Sequence, residues 1–158
     1  MLPNLFLLSD TKGEWDSYLN GLYQIYFDEI VNGGLYFKQF KVSSRRTPET
    51  QGKHYGFWHV ISTGESEADR LPDLRRCERI HWIAYLITHV DIDPEISWWE
   101  NKRGSDTRIV IWHELENFVV ILGTRKDYYV LVTAYCPESG RKKGLIKERT
   151  QFWQGRKS

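Results

Sequence analysis

The sequence predicts a single α+β domain over residues 1–158: an antiparallel β-sheet of about four to five strands, with an N-terminal and a middle helix packed on one face. Three observations predict it. Apolar residues repeat at helical spacing in two long stretches, one before residue 35 and one after residue 72. Three strand-like runs follow one another near the C-terminus, with connections short enough for hairpins. The 158 residues match one domain and suffice to bury a core without disulfides or metal.

The elements follow in order. Thr11-Lys12-Gly13-Glu14 resembles a capping box. Trp15, Tyr18, Leu19, Leu22, Tyr23, Tyr26 and Ile30 then recur at three- and four-residue steps, which predicts a helix over 14–31. Asn32-Gly33-Gly34 ends it. Residues 35–42 read as a strand, 43–56 as a loop, and Phe57 to Ser62 as a second short strand closed by Gly64. Glu65 to Asp69 is an acidic, solvated stretch. Pro72 and Asp73 open a helix, with Leu74, Cys77, Ile80, Ile83 and Ile87 along one face. Trp98 to Gly104 mixes aromatic and basic residues and ends in a turn signal. Strands are predicted over 107–113, 117–122 and 128–135, forming an antiparallel meander. The basic tail from Glu138 has a short docking helix carrying Leu145, Ile146, Phe152 and Trp153. With the helices on one face, the other is left to carry a site.

Composition excludes several classes. Lys+Arg is 22 against 21 Asp+Glu, a net charge of +1, so any cationic site must come from local clustering. Two cysteines, Cys77 and Cys136, make no disulfide framework and fit a reducing cytoplasm. The apolar start, Met1 to Leu8, is too short to span a bilayer and lacks the basic flank of a signal peptide. A cytoplasmic protein without membrane association is therefore expected. The five histidines, His54, His59, His81, His89 and His113, have no metal-ligand spacing, so no metal is expected. There is no phosphate-binding loop, no dinucleotide fingerprint and no Gly-x-Ser-x-Gly elbow, so no cofactor is expected either.

What remains is a set of proton carriers and cations. His59 lies in the middle of a predicted strand, where it reads either as a hydrogen-bonded structural histidine or as a site-facing imidazole. Arg75, Arg76 and Arg79, at three- and four-residue spacing, share one flank of the second helix. They are a solvated face or a guanidinium cluster that grips phosphate. Lys102 and Arg103 follow Trp98-Trp99-Glu100, and aromatics beside cations suit single-stranded nucleic acid. A loop anchored to the core by its tryptophans is the other reading. Tyr129, Leu131, Thr133 and Tyr135 alternate onto one strand face, which places the hydroxyls of Thr133 and Tyr135 at a strand end, shortly before Arg141-Lys142-Lys143. These residue types suit RNA cleavage without metal, which needs a base for the 2′-OH, cations for the transition state and an acid for the leaving oxygen.

Gly56-Phe57-Trp58-His59, the Pro-Asp-Leu-Arg-Arg-Cys-Glu-Arg-Ile run within 70–80, Trp99-Glu100-Asn101-Lys102-Arg103, Tyr128-Tyr129 and Thr133-Ala134-Tyr135 together resemble the phage-type branch of the barnase–EndoU–colicin E5/D–RelE-like (BECR) nucleases. The resemblance covers roughly residues 35–148. It implies a helical part packed on an antiparallel sheet of about four strands, and a metal-independent endoribonuclease, often a toxin or phage-conflict effector. Carried onto this chain, it implies His59 as acid/base and Arg76 or Arg79 as phosphate clamp. Thr133 and Tyr135 would lie near the scissile group, and Lys102 would be catalytic or RNA-binding. Arg75, Trp99, Arg103, Arg141 and Lys142 are the expected RNA-binding residues. The implied partners are RNA (tRNA or mRNA) and a cognate antitoxin or immunity protein. A non-catalytic nucleic-acid-binding or protein-interaction module of a mobile element is the alternative.

Overall fold

The computed structural model describes residues 1–64 and 66–156. Glu65, where the acidic stretch read as solvated begins, lies outside them. Helix α1 is Trp15–Tyr26, extended by a wider π-helical turn over Phe27–Val31. Strands β1 (Tyr36–Phe37) and β2 (Phe40–Ser44) precede helix α2, Tyr55–Ile61. The two-residue strands β3 (Ser62–Thr63) and β4 (Leu71–Pro72) pair with each other. Helices α3 (Leu74–Glu78) and α4 (Ile80–Thr88) follow. Strands β5 (Ile96–Arg103), β6 (Asp106–His113), β7 (Phe118–Thr124) and β8 (Tyr129–Tyr135) lead to helix α5, Ser139–Gly155.

The architecture is α+β, as read from the sequence, but the sheet has six strands in the order β1-β2-β8-β7-β6-β5. The β5–β8 meander is antiparallel, whereas β2 runs parallel to β8. The sheet is therefore mixed, not wholly antiparallel. The fourth meander strand, β5, is the Trp98–Gly104 segment extended backwards, and Gly104 makes the turn into β6 at φ 62°. The run 35–42 is not one strand: Lys38, at φ 56°, turns it into the β1–β2 hairpin.

Helices cover both faces, not one. Tyr18, Leu22 and Tyr26 of α1, with Ile80, Ile83, Leu86 and Ile87 of α4, pack on Ile109, Ile111, Val120, Leu122, Leu131 and Ala134. Across the sheet, Leu145 of α5 packs with Trp99, Val110, Trp112, Val119 and Ile121. The tail helix is thus a second layer and much longer than a short docking segment. Leu74 is 44% exposed, whereas Cys77, Ile80, Ile83 and Ile87 are buried as the spacing predicted, and Trp82 and Leu86 join them on the apolar face of the middle helices. A kink at Arg79 divides that helical stretch into α3 and α4. The cap of α1 is Glu14, whose carboxylate accepts from Ser17 N at 2.7 Å, whereas Thr11 Oγ1 donates to Leu8 O one turn earlier.

The strand predicted over 57–62 is helix α2. Phe57, Val60 and Ile61 are buried at helical spacing, and Gly56 lets the helix start lie close to β2. A Cβ there would stand 2.8 Å from Tyr26 Oη and 3.2 Å from Ser44 Oγ. The alternation expected in β8 is broken by a bulge at Val132. Tyr129 and Leu131 face the first core, whereas beyond the bulge Thr133 and Tyr135, opposite Ile121 and Val119 of the second core, share the other face, so the four do not share one face as the alternation predicted.

Candidate active site

Strand β2 pairs with β8 only from Tyr129 to Leu131. Beyond that point α2 lies along the second half of β8, where Thr133 Oγ1 reaches His59 O at 3.4 Å. The last carbonyls of a helix have no intrahelical donor, and here two arginines supply them. Arg70 donates to His59 O at 3.0 Å and to Ser62 O. Arg76 donates to His59 O at 3.3 Å, to Ser62 O at 2.7 Å and to Thr133 Oγ1 at 3.4 Å. Their positive charge also suits the negative end of the helix dipole. Burial pulls the Arg76 pKa down, and Asp73 opposes it.

The start of α2 is held by a polar chain. Tyr26 Oη bonds Ser44 Oγ, which lies 3.1 Å from His54 Nδ1. Burial lowers the His54 pKa, Glu49 opposing and Arg46 reinforcing.

Held at both ends, α2 places His59 at the wall of a cavity of about 700 Å³. Arg45, Tyr55, Arg108, Arg125 and Tyr128 also line it, with Gly123 in the sheet. The His59 and Tyr55 rings are 4.9 Å apart, and the Arg45 guanidinium lies 4.2 Å over Tyr55. The lining has three guanidinium groups against one carboxylate, Asp106, which pairs with Arg108 at 3.3 Å. A Cβ at Gly123 would meet Val130, Arg125 Nη1 and Val132 at 3.2–3.3 Å. A second cavity of about 130 Å³ shares Arg108 and adds Asn101, Arg103, Tyr135 and Arg141. There Arg141 donates to Tyr135 Oη at 3.4 Å, a bond that raises the Arg141 pKa.

The residues predicted from sequence are thereby sorted. His59 lines the large cavity, Arg76 and Thr133 stand behind it, and Arg103, Tyr135 and Arg141 line the small one. Lys102 lines a separate cavity with Glu148 and Arg156. Arg79 lies 5.0 Å over Trp82 and donates to Arg75 O. Arg75, Arg76 and Arg79 all act on the Cys136 thiol, lowering its pKa against the burial that raises it. Lys142 is on α5 and lines neither cationic cavity. Trp99 corrects an expectation: it is 0% exposed, its Nε1 bonded to Glu148, so it has no open ring for a base.

Arg45, Tyr55, Arg108 and Arg125 were not singled out from the sequence, and Tyr128 only within the Tyr128-Tyr129 pair, without a role. Arg108 had a signal there, a charge at the head of an otherwise apolar strand run. Arg45 and Tyr55 lay in a segment read as plain loop.

Among the described residues, no group of three or more His, Cys, Asp or Glu is placed to hold a metal ion, and no helix is long and apolar enough to cross a membrane. No family model matches the chain, and no curated protein or solved structure matches it.

Proposed function

We propose that the chain is a metal-independent endoribonuclease of the BECR type that cleaves RNA by attack of a 2′-hydroxyl. The observation that carries this reading is the large cavity, where one imidazole, three guanidinium groups and two phenols converge. His59 takes the proton of the 2′-OH, whose oxygen bonds to the adjacent phosphorus as the bond to the 5′-oxygen breaks. Arg45, Arg108 and Arg125 stabilise the charge on the phosphorane, since guanidinium groups meet phosphate oxygens in pairs. Tyr55, beside His59, protonates the leaving 5′-oxygen and is restored from the imidazolium. The products are a 2′,3′-cyclic phosphate and a 5′-hydroxyl. Arg76 and Thr133 touch the His59 carbonyl, not the reacting atoms, and are positioning residues.

The test is incubation of wild type and His59→Ala with total tRNA and rRNA in EDTA, read on a denaturing gel. Discrete fragments from wild type alone, ending in cyclic phosphate, are expected. Equal cutting by His59→Ala removes the assignment of the base, and a requirement for added divalent ion removes the metal-free mechanism. A second reading, RNA binding without turnover, is favoured by the single imidazole in the cavity. Salt-sensitive binding of RNA that stays intact identifies it.

A further inference from the structure

The two cationic cavities differ in size and are joined through one residue. Arg108 lines both, and in the sheet it stands opposite Gly123 of β7 on one side and Asn101 of β5 on the other. The large cavity reaches Ser43 on β2 and the small one Arg103 on β5. That is four strand spacings in the sheet order, roughly 19 Å measured across the strands. A ligand occupying both therefore runs across the sheet and not along one strand.

Volume decides what each cavity takes. About 700 Å³ is within the range of pockets that bury a whole small molecule, so a nucleoside fits. About 130 Å³ equals the share of roughly four water molecules in the liquid, which suits a phosphate but not a whole nucleoside. Its polar lining is matched to an anion: Arg103 and Arg141, both exposed, flank Asn101 and the Tyr135 hydroxyl. A nucleoside seated in the large cavity has left its stack and its pairing partner, which a duplex resists.

We propose that the small cavity is a phosphate subsite, in which Arg103 and Arg141 hold the phosphate next to the one at His59 while the nucleoside occupies the large cavity, so that the substrate is single-stranded RNA. This rests on the nuclease reading for the identity of the ligand, but its test needs no turnover.

The probe is a short, mixed-sequence single strand of fluorescein-labelled 2′-fluoro RNA, which lacks the attacking hydroxyl. Binding is followed by anisotropy for wild type, Arg103→Ala, Arg141→Ala and the double variant. Melting curves verify that each is folded. Each single variant binds about tenfold more weakly or worse, as expected for lost hydrogen bonds to a charged group. The double variant is little worse than either single, because the two residues hold one phosphate. The slope of log affinity against log salt falls by about 0.7, the value for one single-strand phosphate. The same strand annealed to its complement binds more weakly. Variants that bind like wild type with an unchanged slope, or a duplex bound as tightly as the single strand, overturn the subsite. If these results hold but RNA stays uncut in EDTA, the nuclease reading falls and the subsite stands. If RNA is cut but the variants bind normally, the subsite falls and the nuclease reading stands.

Discussion

The guanidinium of Arg76 donates to two carbonyls and one hydroxyl of its own chain. Its removal acts on His59 from behind: the end of α2 loses a donor, and the hydroxyl of Thr133 loses its tie to α3. Arg76→Ala is expected to cost about 1–3 kcal/mol in denaturant melts. It should also lower kcat of RNA cleavage more than it raises KM, because the imidazole is displaced while the cavity arginines remain. An unchanged melt refutes the capping role. His54, at the other end of α2, gives a pH dependence. Burial holds its folded pKa below the ordinary 6.5. Below about pH 6.5 the unfolded chain takes a proton that the folded chain refuses, so stability falls as pH drops through the folded value and levels off beneath it. The wild-type melting temperature is expected to fall between about pH 7.5 and 5.5, and to fall less in His54→Gln. Equal falls in both proteins place the effect elsewhere.

At the scale of elements, α5 illustrates how one side chain secures a layer. Leu145 is its one buried residue among those described, 3% exposed beneath Trp99 and Trp112. Arg149 adds bonds to Ser97 and Glu114, and Trp153 donates to Trp98 O. Leu145→Ala is expected to cost about 2–3 kcal/mol and to shift tryptophan emission to the red as Trp99 and Trp112 meet water. Loss of stability without that shift refutes the detachment of α5. The long helices were legible because Tyr18, Leu22, Tyr26 and then Ile80, Ile83 and Ile87 repeat over several turns. So were the meander strands, whose apolar runs are broken by turn residues. Helix α2 was not, since seven residues with Phe57, Trp58, Val60 and Ile61 carry strand-like composition and too few turns for a period. The parallel β2–β8 pairing was not legible either, because register between distant strands depends on which edge stays open after the meander forms. His59 and the small-cavity residues were found as chemical types. Their partners Arg45, Arg108 and Arg125 come from three separate segments that only the sheet brings together.

For the molecule as a whole, charge is balanced in number but not in place. Lys+Arg and Asp+Glu are 22 and 21, yet the large cavity has three arginines to one aspartate, and the small one adds Arg103 and Arg141 without a carboxylate. A net charge of +1 gives little long-range attraction for a polyanion. Affinity for RNA must then come from the few phosphates that reach the cavities. Two of them, one at His59 and one between Arg103 and Arg141, release counterions worth a slope of about −1.4 in log affinity against log salt for a single strand. Titrations of the 2′-fluoro strand at several salt concentrations measure this directly. A slope near that value is expected for wild type, and one nearer zero for Arg108→Ala, which removes the guanidinium shared by both cavities. A much steeper wild-type slope, unaffected by Arg108→Ala, means that the nucleic acid binds over a broad surface and not across the sheet at these two cavities.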